Sequence, residues 1–258
     1  MIIGGGLAGM ESARITASRG HHVTLYEAGE RLGGQWLLAT VPPHKQGFKD
    51  LVDFLSNQIG KLGVDLVLGK TVTADLVERQ KPDAVIVATG ATPIIPSIPG
   101  VEQEKVITAH DVLRRYKNTG DRVLIIGGGG IGLETAEFLE EKGKDVTIVE
   151  MLKKIGKGMG ATVRWNLFYR IKGRAVKIFP STKVEEITGQ GIVVTREGHQ
   201  ETWEGFDTVV MAVGIMSTNE LADKIKDKVK EVYVIGDAAD PRRGVDAMRE
   251  GAEVGRRI

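Results

Sequence analysis

The 258-residue sequence predicts an α/β chain in which a three-layer domain built on a parallel sheet occurs twice, the second copy inserted into the first. Three observations predict it. A segment near the start, IIGGGLAGMESARITASRGHHVTLYE (residues 2–27), recurs without a gap 123 residues later as IIGGGGIGLETAEFLEEKGKDVTIVE (residues 125–150), with 12 of 26 positions identical. Each copy reads as a short apolar run, a glycine turn, a stretch of helical periodicity, a helix-ending Gly and a β-branched run, which is a βαβ unit. A second echo follows each copy, VIVATG at 85–90 and VVMAVG at 209–214. A βαβ unit forces parallel strands with a covering helix, so the same doubly wound plan is used twice.

Composition leaves room for two modest domains and excludes several classes of function. A hydrophobic fraction of 41% with 27% charged residues is ordinary for a globular chain, and its apolar runs are strand-sized, too short to span a membrane. The 35 basic and 34 acidic residues nearly cancel, which argues against a nucleic-acid surface. With 0 cysteines there is no disulfide, thiolate metal site, iron–sulfur ligation or thiol redox centre on this chain. The first residues lack the charged start of a signal peptide, so a cytoplasmic location is expected.

The stretch ATPIIPSIPG (91–100) carries three prolines and reads as an extended linker leaving the first domain. After Gly214 the polar STNE and a lysine-rich stretch lead to a last strand and helix that should return to it. The expected boundaries are 1–101 with 217–258 for the first domain and 102–216 for the inserted one. Only Met1, Ile2 and Ile3 precede Gly4. A typical strand has five or six residues, so an upstream portion is expected.

The glycines carry the chemistry. In the first copy Gly4-x-Gly6-x-x-Gly9 encloses Leu7 and Ala8 at the helix start, and Glu27 ends the next strand 18 residues after Gly9. One glycine makes a tight turn, the next admits a pyrophosphate against backbone, and the third lets helix and strand pack closely, while the acid accepts the hydroxyls of an adenosine ribose. Both domains are therefore expected to be Rossmann-like. The second copy supplies Gly127, Gly129 and Gly132, with Gly130 and Ile131 at the helix start and Glu150 again 18 residues on. Glu150 would repel a 2′-phosphate, and Met151 and Leu152 precede Lys153 and Lys154, so NADH is expected over NADPH. A third signal is Gly236-Asp237 after an apolar run near the end, which with Ala88, Thr89 and Gly90 of the ATG segment completes a three-part pattern for FAD.

These residues resemble the two-dinucleotide flavoprotein reductases, most closely the C-terminal region of 2,4-dienoyl-CoA reductase and related NADH:flavin oxidoreductases, including trimethylamine dehydrogenase. The resemblance spans essentially the whole chain through GGGLAGMESA, ERLGGQ, ATGATP, IIGGGGIGLETAEFL and YVIGDAADPRRGVDAM. It implies that Gly4, Gly6 and Gly9 take the FAD pyrophosphate and Glu27, followed by Ala28, the adenosine ribose. Arg31, Gly34 and Gln35 would lie beside the flavin, Val72 at the adenine, Thr89 and Gly90 under the pyrophosphate, and Asp237 at a ribityl hydroxyl. A helix beginning near Val245 would point its positive end at the flavin. In the second domain Gly214 is expected among the NAD-binding residues, and Glu134 stands either near the nicotinamide amide or as a solvated helix residue. No catalytic acid or base is needed, because the cofactors carry the hydride transfer.

The sequence also departs from that family. The cysteine pair of the disulfide reductases is missing. The barrel domain with FMN and an iron–sulfur cluster, where such reductases turn over substrate, is not in this sequence, so the implied electron acceptor lies outside it. Two other readings stay open: a standalone reductase serving a separate carrier protein, and a non-redox module holding only ADP.

Other features carry less. His21, His22, His44, His110 and His199 show no metal-site spacing. Thr108 and Asp111 have the form of a helix capping box. Trp165, Phe168 and Tyr169 are spaced for one helix face and are expected in the core. Arg242 and Arg243 could touch a phosphate or be solvated.

Overall fold

A computed structural model describes residues 1–115 and 117–258. It divides into two compact units, Met1–Thr40, Lys45–Thr92 and Ile215–Ile258 forming the first, and Val41–His44 and Pro93–Gly214 the second.

In the first unit β1 (Ile2–Ile3), α1 (Leu7–Ser18) and β2 (Thr24–Tyr26) are followed by α2 (Trp36–Ala39), α3 (Lys49–Lys61), β3 (Asp65–Val67), α4 (Ala74–Gln80), β4 (Ala84–Val87) and β5 (Ala91–Pro93). The second unit runs through β6 (Val106–Thr108), α5 (Ala109–Arg114), β7 (Arg122–Ile126), α6 (Gly130–Glu140), β8 (Asp145–Val149), α7 (Ala161–Ile171) and β9 (Val176–Phe179). It continues with β10 (Thr182–Ile187), β11 (Gly191–Arg196), β12 (His199–Glu204) and β13 (Thr208–Met211). The chain then returns through β14 (Ile215–Ser217), α8 (Glu220–Ile225), β15 (Glu231–Val234) and α9 (Gly244–Arg257).

Each unit has a five-stranded parallel sheet, in the order β15-β4-β1-β2-β3 and β6-β13-β7-β8-β9. The fingerprint strand is central in both, with its βα partner on one side and the strand of the second echo on the other. The expectation that the last strand rejoins the first sheet holds, since β15 pairs in parallel with β4. Because successive side chains of a strand face opposite layers, Ile2 joins a core with α1 and α3 residues such as Met10 and Leu55. Ile3 and Tyr26 join the opposite core with Val77 of α4 and Ile225 of α8.

The layers of the second unit differ from a helix-on-both-faces plan. One face of its sheet is covered by the antiparallel sheet β10-β11-β12, whose Val184, Ile187, Ile192 and Val194 are buried against Leu124, Ile126, Val209 and Met211. The division between the units also falls at Pro93, earlier than the expected 102. Residues 99–101 belong with the second unit: the Pro99 carbonyl accepts the Ile187 N–H at 2.8 Å, and Val101 packs on the same core. Within the expected linker, β5 is a strand that pairs with β14.

Of the aromatic stripe on α7, Phe168 is half-buried and the other two residues are outside the core. Trp165 and Tyr169 are 65% and 70% exposed and stack on each other with ring centroids 5.6 Å apart. One helix turn separates them, so they share a face, but the buried face belongs to Leu167 and Ile171. An ion pair adds to this attachment: Arg170 grips the fully buried Glu137 of α6 with bonds of 2.5 and 2.9 Å from Nε and Nη2. A buried carboxylate that loses its partner costs about 3 kcal/mol. Arg170→Ala should therefore lower unfolding free energy in urea by roughly that amount, whereas Arg170→Met with Glu137→Leu should recover most of it. An Arg170→Ala protein as stable as the parent would contradict the account.

Candidate dinucleotide sites

The two glycine turns have the same stereochemistry. Gly4 and Gly127 have φ of +107° and +114°, and a Cβ there would stand 2.2 Å from the Ala88 carbonyl oxygen and 2.3 Å from that of Ala212. A Cβ on Gly9 or Gly132 would lie 1.9 Å from the carbonyl oxygen of Gly4 or Gly127. Around Gly6 and Gly129, by contrast, an added Cβ meets nothing within 4 Å. Each turn is thus jammed on its protein side and open at the one glycine where a ligand backbone has to approach.

The helices starting at these turns carry no side-chain cap, unlike α4 and α5. Thr73 and Thr108 cap α4 and α5 with their hydroxyls, the latter in the full capping box expected from sequence. Gly6 and Gly129 are the N-caps of α1 and α6 and offer no side-chain cap. The first-turn amides, around Leu7 and Ala8 in one and Gly130 and Ile131 in the other, are left for an anion such as a pyrophosphate.

Both acids are built in and are not loose strand ends. Glu27 accepts the N–H of Gly5 at 2.7 Å and of Gly29 at 2.6 Å, one on each oxygen, and Glu150 accepts Gly128 and Leu152, both at 2.8 Å. An ionised carboxylate has roughly four acceptor positions, so each oxygen keeps capacity for a ribose hydroxyl. Sequence reasoning missed the middle glycines, Gly5 and Gly128, whose N–H groups make these bonds and where an added Cβ would stand 3.0 Å from Glu27 Oε2 and from Glu150 Cβ, respectively. It also missed their second contacts: the Gly5 carbonyl accepts Gly33 N–H at 2.8 Å and the Gly128 carbonyl accepts Gly156 N–H at 2.7 Å. These pairs keep the offset of 123, so the repeat runs past Glu27 and Glu150, where the sequence signal had faded to a lone shared glycine.

In the first unit the remaining predicted residues gather at the carboxyl ends of the strands. A Cβ on Gly34 would be 3.1 Å from Gly6 Cα, and one on Gly236 2.8 Å from Ala8 Cβ, so the ERLGGQ and Gly-Asp segments both abut the turn. Gln35 Nε2 donates to the Ala91 carbonyl at 3.0 Å, beside Gly90. The Thr89 hydroxyl donates to the Thr218 carbonyl. Val72 is buried in the core, while Ala28 and Arg31 are exposed. Asp237 accepts the Arg242 N–H at 3.2 Å, and burial raises its carboxyl above the ordinary range. Helix α9 starts at Gly244, where a Cβ would be 2.4 Å from the Trp36 ring, and Val245 in its first turn is 63% exposed. Arg242 pairs with Glu250 and Asp240, and Arg243 with Asp246, and both remain exposed.

In the second unit a cavity of about 500 Å³ opens at the fingerprint. Gly127, Gly129, Gly130, Ile131, Glu150 and Gly214 all line it, and Met151, Leu152 and Lys183 join them. Glu134 is not among its lining residues; it lies in α6 within electrostatic reach of Arg170. Among the described residues no helix is long and apolar enough to cross a membrane.

Comparison with known proteins agrees with this geometry. Residues 1–251 match the family described as "Pyridine nucleotide-disulphide oxidoreductase". A metal reductase of Desulforamulus reducens is 36% identical over 97% of this chain and 42% of its own length. An NADH oxidase of Thermoanaerobacter brockii is 38% identical over 98% of this chain and 40% of its own length. A solved 2-naphthoyl-CoA reductase, in complex with 2-naphthoyl-CoA, superposes with a TM-score of 0.93 at 32% identity, covering 100% of this chain and 39% of that one. The chain spans about two fifths of each relative.

Proposed function

Since the chain belongs to the pyridine nucleotide-disulphide oxidoreductase family, we propose that its first unit holds FAD and its second holds NADH, and that together they oxidise NADH. The observation that carries this reading is the duplicated site: two turns closed behind and open in front, each with an uncapped helix and an anchored carboxylate. FAD, when bound, supplies the acceptor for the hydride of NADH.

The residues of this chain bind and orient. Amides at the starts of α1 and α6 hold the two pyrophosphates, and the spare lone pairs of Glu27 and Glu150 accept ribose hydroxyls. Thr89 and Gly90 would lie under the FAD pyrophosphate, Asp237 would meet a ribityl hydroxyl, and Gln35 and the first turn of α9 would stand beside the flavin. A ribityl contact through Asp237 favours full FAD over an ADP-only module, which has no use for it. The disulphide chemistry in the family's name has no counterpart here, because the sequence has 0 cysteines.

Electrons leave to an acceptor outside these residues, an FMN and iron–sulfur domain of a longer protein. Support comes from the resemblance in sequence and from relatives more than twice as long as the segment they share with this chain. The relatives named for metal, NADH oxidation and an aryl-CoA point to different terminal substrates on a shared NADH-oxidising module.

NADH is preferred over NADPH, because the anchored carboxylate of Glu150 would meet a 2′-phosphate with like charge and no freedom to turn away. Rapid mixing of the FAD-loaded protein with each coenzyme should show flavin reduction at least about tenfold faster with NADH, the effect of 1.4 kcal/mol. Equal rates would overturn the coenzyme assignment, and reduction by neither would overturn the function.

A further inference from the structure

We propose that residues 217–219 are a clip that fixes two loops of the FAD site against each other, with Ser217 and Asn219 as positioning residues. The proposal rests on reading the first unit as the FAD holder. The segment closes β14 and leads into α8, and nothing in the fingerprint logic assigns it a role.

Its contacts alternate. Ser217 Oγ donates to the Asp237 carbonyl at 2.8 Å, and Asn219 Nδ2 donates to the Ala238 carbonyl at 3.0 Å. Between them the main chain of Thr218 turns to the other loop: its N–H donates to the Gly90 carbonyl at 3.0 Å, and its carbonyl accepts the Thr89 hydroxyl. Four hydrogen bonds from three consecutive residues thus join the 89–90 loop to the 236–238 turn, which come from distant parts of the sequence.

The turn needs such a hold. Gly236 has φ of +63° and sits against Ala8, and α9 holds only its N–H, through Glu250 at 2.7 Å, so the clip supplies the hold on the Asp237 and Ala238 carbonyls. Burial raises the Asp237 carboxyl above the ordinary range, and its side chain projects from this turn. Anchoring the Asp237 and Ala238 carbonyls fixes the origin of that carboxyl without using its side-chain oxygens, of which Oδ1 accepts the Arg242 N–H and Oδ2 remains for a ligand. Binding groups must be held within roughly 0.5 Å to act.

The test compares Ser217→Thr with Ser217→Val. The two side chains have the same shape and suit a strand end, and differ in the hydroxyl donor. FAD affinity of the apoprotein is measured by quenching of flavin fluorescence, NADH affinity by NADH fluorescence, and folding by circular dichroism. Ser217→Thr should bind FAD within twofold of the parent, and Ser217→Val should bind it at least about tenfold more weakly, the loss of one well-made hydrogen bond. NADH affinity should be unchanged in both. Equal FAD affinity in the two variants overturns the clip; a parent that binds no FAD overturns the functional reading instead. If Ser217→Val fails to fold, Asn219→Ala replaces it, and parent-like FAD affinity in that variant overturns the clip.

Discussion

Gly132→Ala is expected to give a yellow, FAD-containing protein that NADH no longer reduces, and Gly9→Ala a colourless protein that still binds NADH. In each case the new methyl would stand 1.9 Å from a backbone carbonyl oxygen, that of Gly127 or Gly4. No flexible side chain is available to yield, so the helix start must move away from its strand. The displaced first-turn amides then miss the pyrophosphate they would otherwise cradle. Because each clash is confined to one unit, the two losses should separate cleanly, each about a hundredfold or more, equivalent to roughly 2.7 kcal/mol. Flavin absorbance after desalting and NADH fluorescence titration check both halves. A Gly9→Ala protein that retains FAD with parental affinity would show that the first turn is not its phosphate site.

Glu150→Ala should be the second largest effect. It removes the acceptor for the Gly128 and Leu152 amides and, on the proposed reading, for the ribose hydroxyls. Hydrogen bonds to a charged group contribute about 1.5–3 kcal/mol. NADH affinity should therefore fall by roughly 10- to 150-fold, while FAD affinity stays put. Glu150→Gln keeps the shape and one acceptor oxygen, so it should fall between parent and alanine. Isothermal titration with NADH reads both, and an alanine variant that binds NADH as the parent does would remove Glu150 from the site.

Much of this site is legible in the sequence because its physics is backbone physics. Gly4, Gly6 and Gly9 are glycines for three different steric reasons, and a sequence can show that when the same spacing recurs at Gly127, Gly129 and Gly132. Gly5 and Gly128 were hidden in plain view, since their role depends on a carboxylate 22 residues away folding back onto their N–H groups. The pairing of Gly33 with Gly5 and of Gly156 with Gly128 runs through main-chain atoms, and little in the surrounding side chains records it. The clip at 217–219 is equally silent, because two of its four bonds use the Thr218 backbone.

The errors have their own causes. Aromatic spacing predicts Trp165 and Tyr169 in the core, yet α7 buries the narrower pair Leu167 and Ile171 and adds the ion pair of Arg170 with Glu137. The β10-β11-β12 layer was not anticipated from a parallel βαβ plan, which supplies helices as covers. Prolines at 93, 96 and 99 suggested a linker, but the chain begins to pack on the second unit's core within that stretch, at Ile98.

The central claim is that NADH held by this chain reduces FAD held by the same chain. It is tested most directly by loading the purified protein with FAD, removing unbound flavin, and adding NADH without oxygen while recording the visible flavin band. The account predicts that the band remains with the protein and bleaches in proportion to the NADH added. A protein that keeps its flavin and binds NADH but does not bleach would contradict it, and so would one that cannot be loaded with FAD.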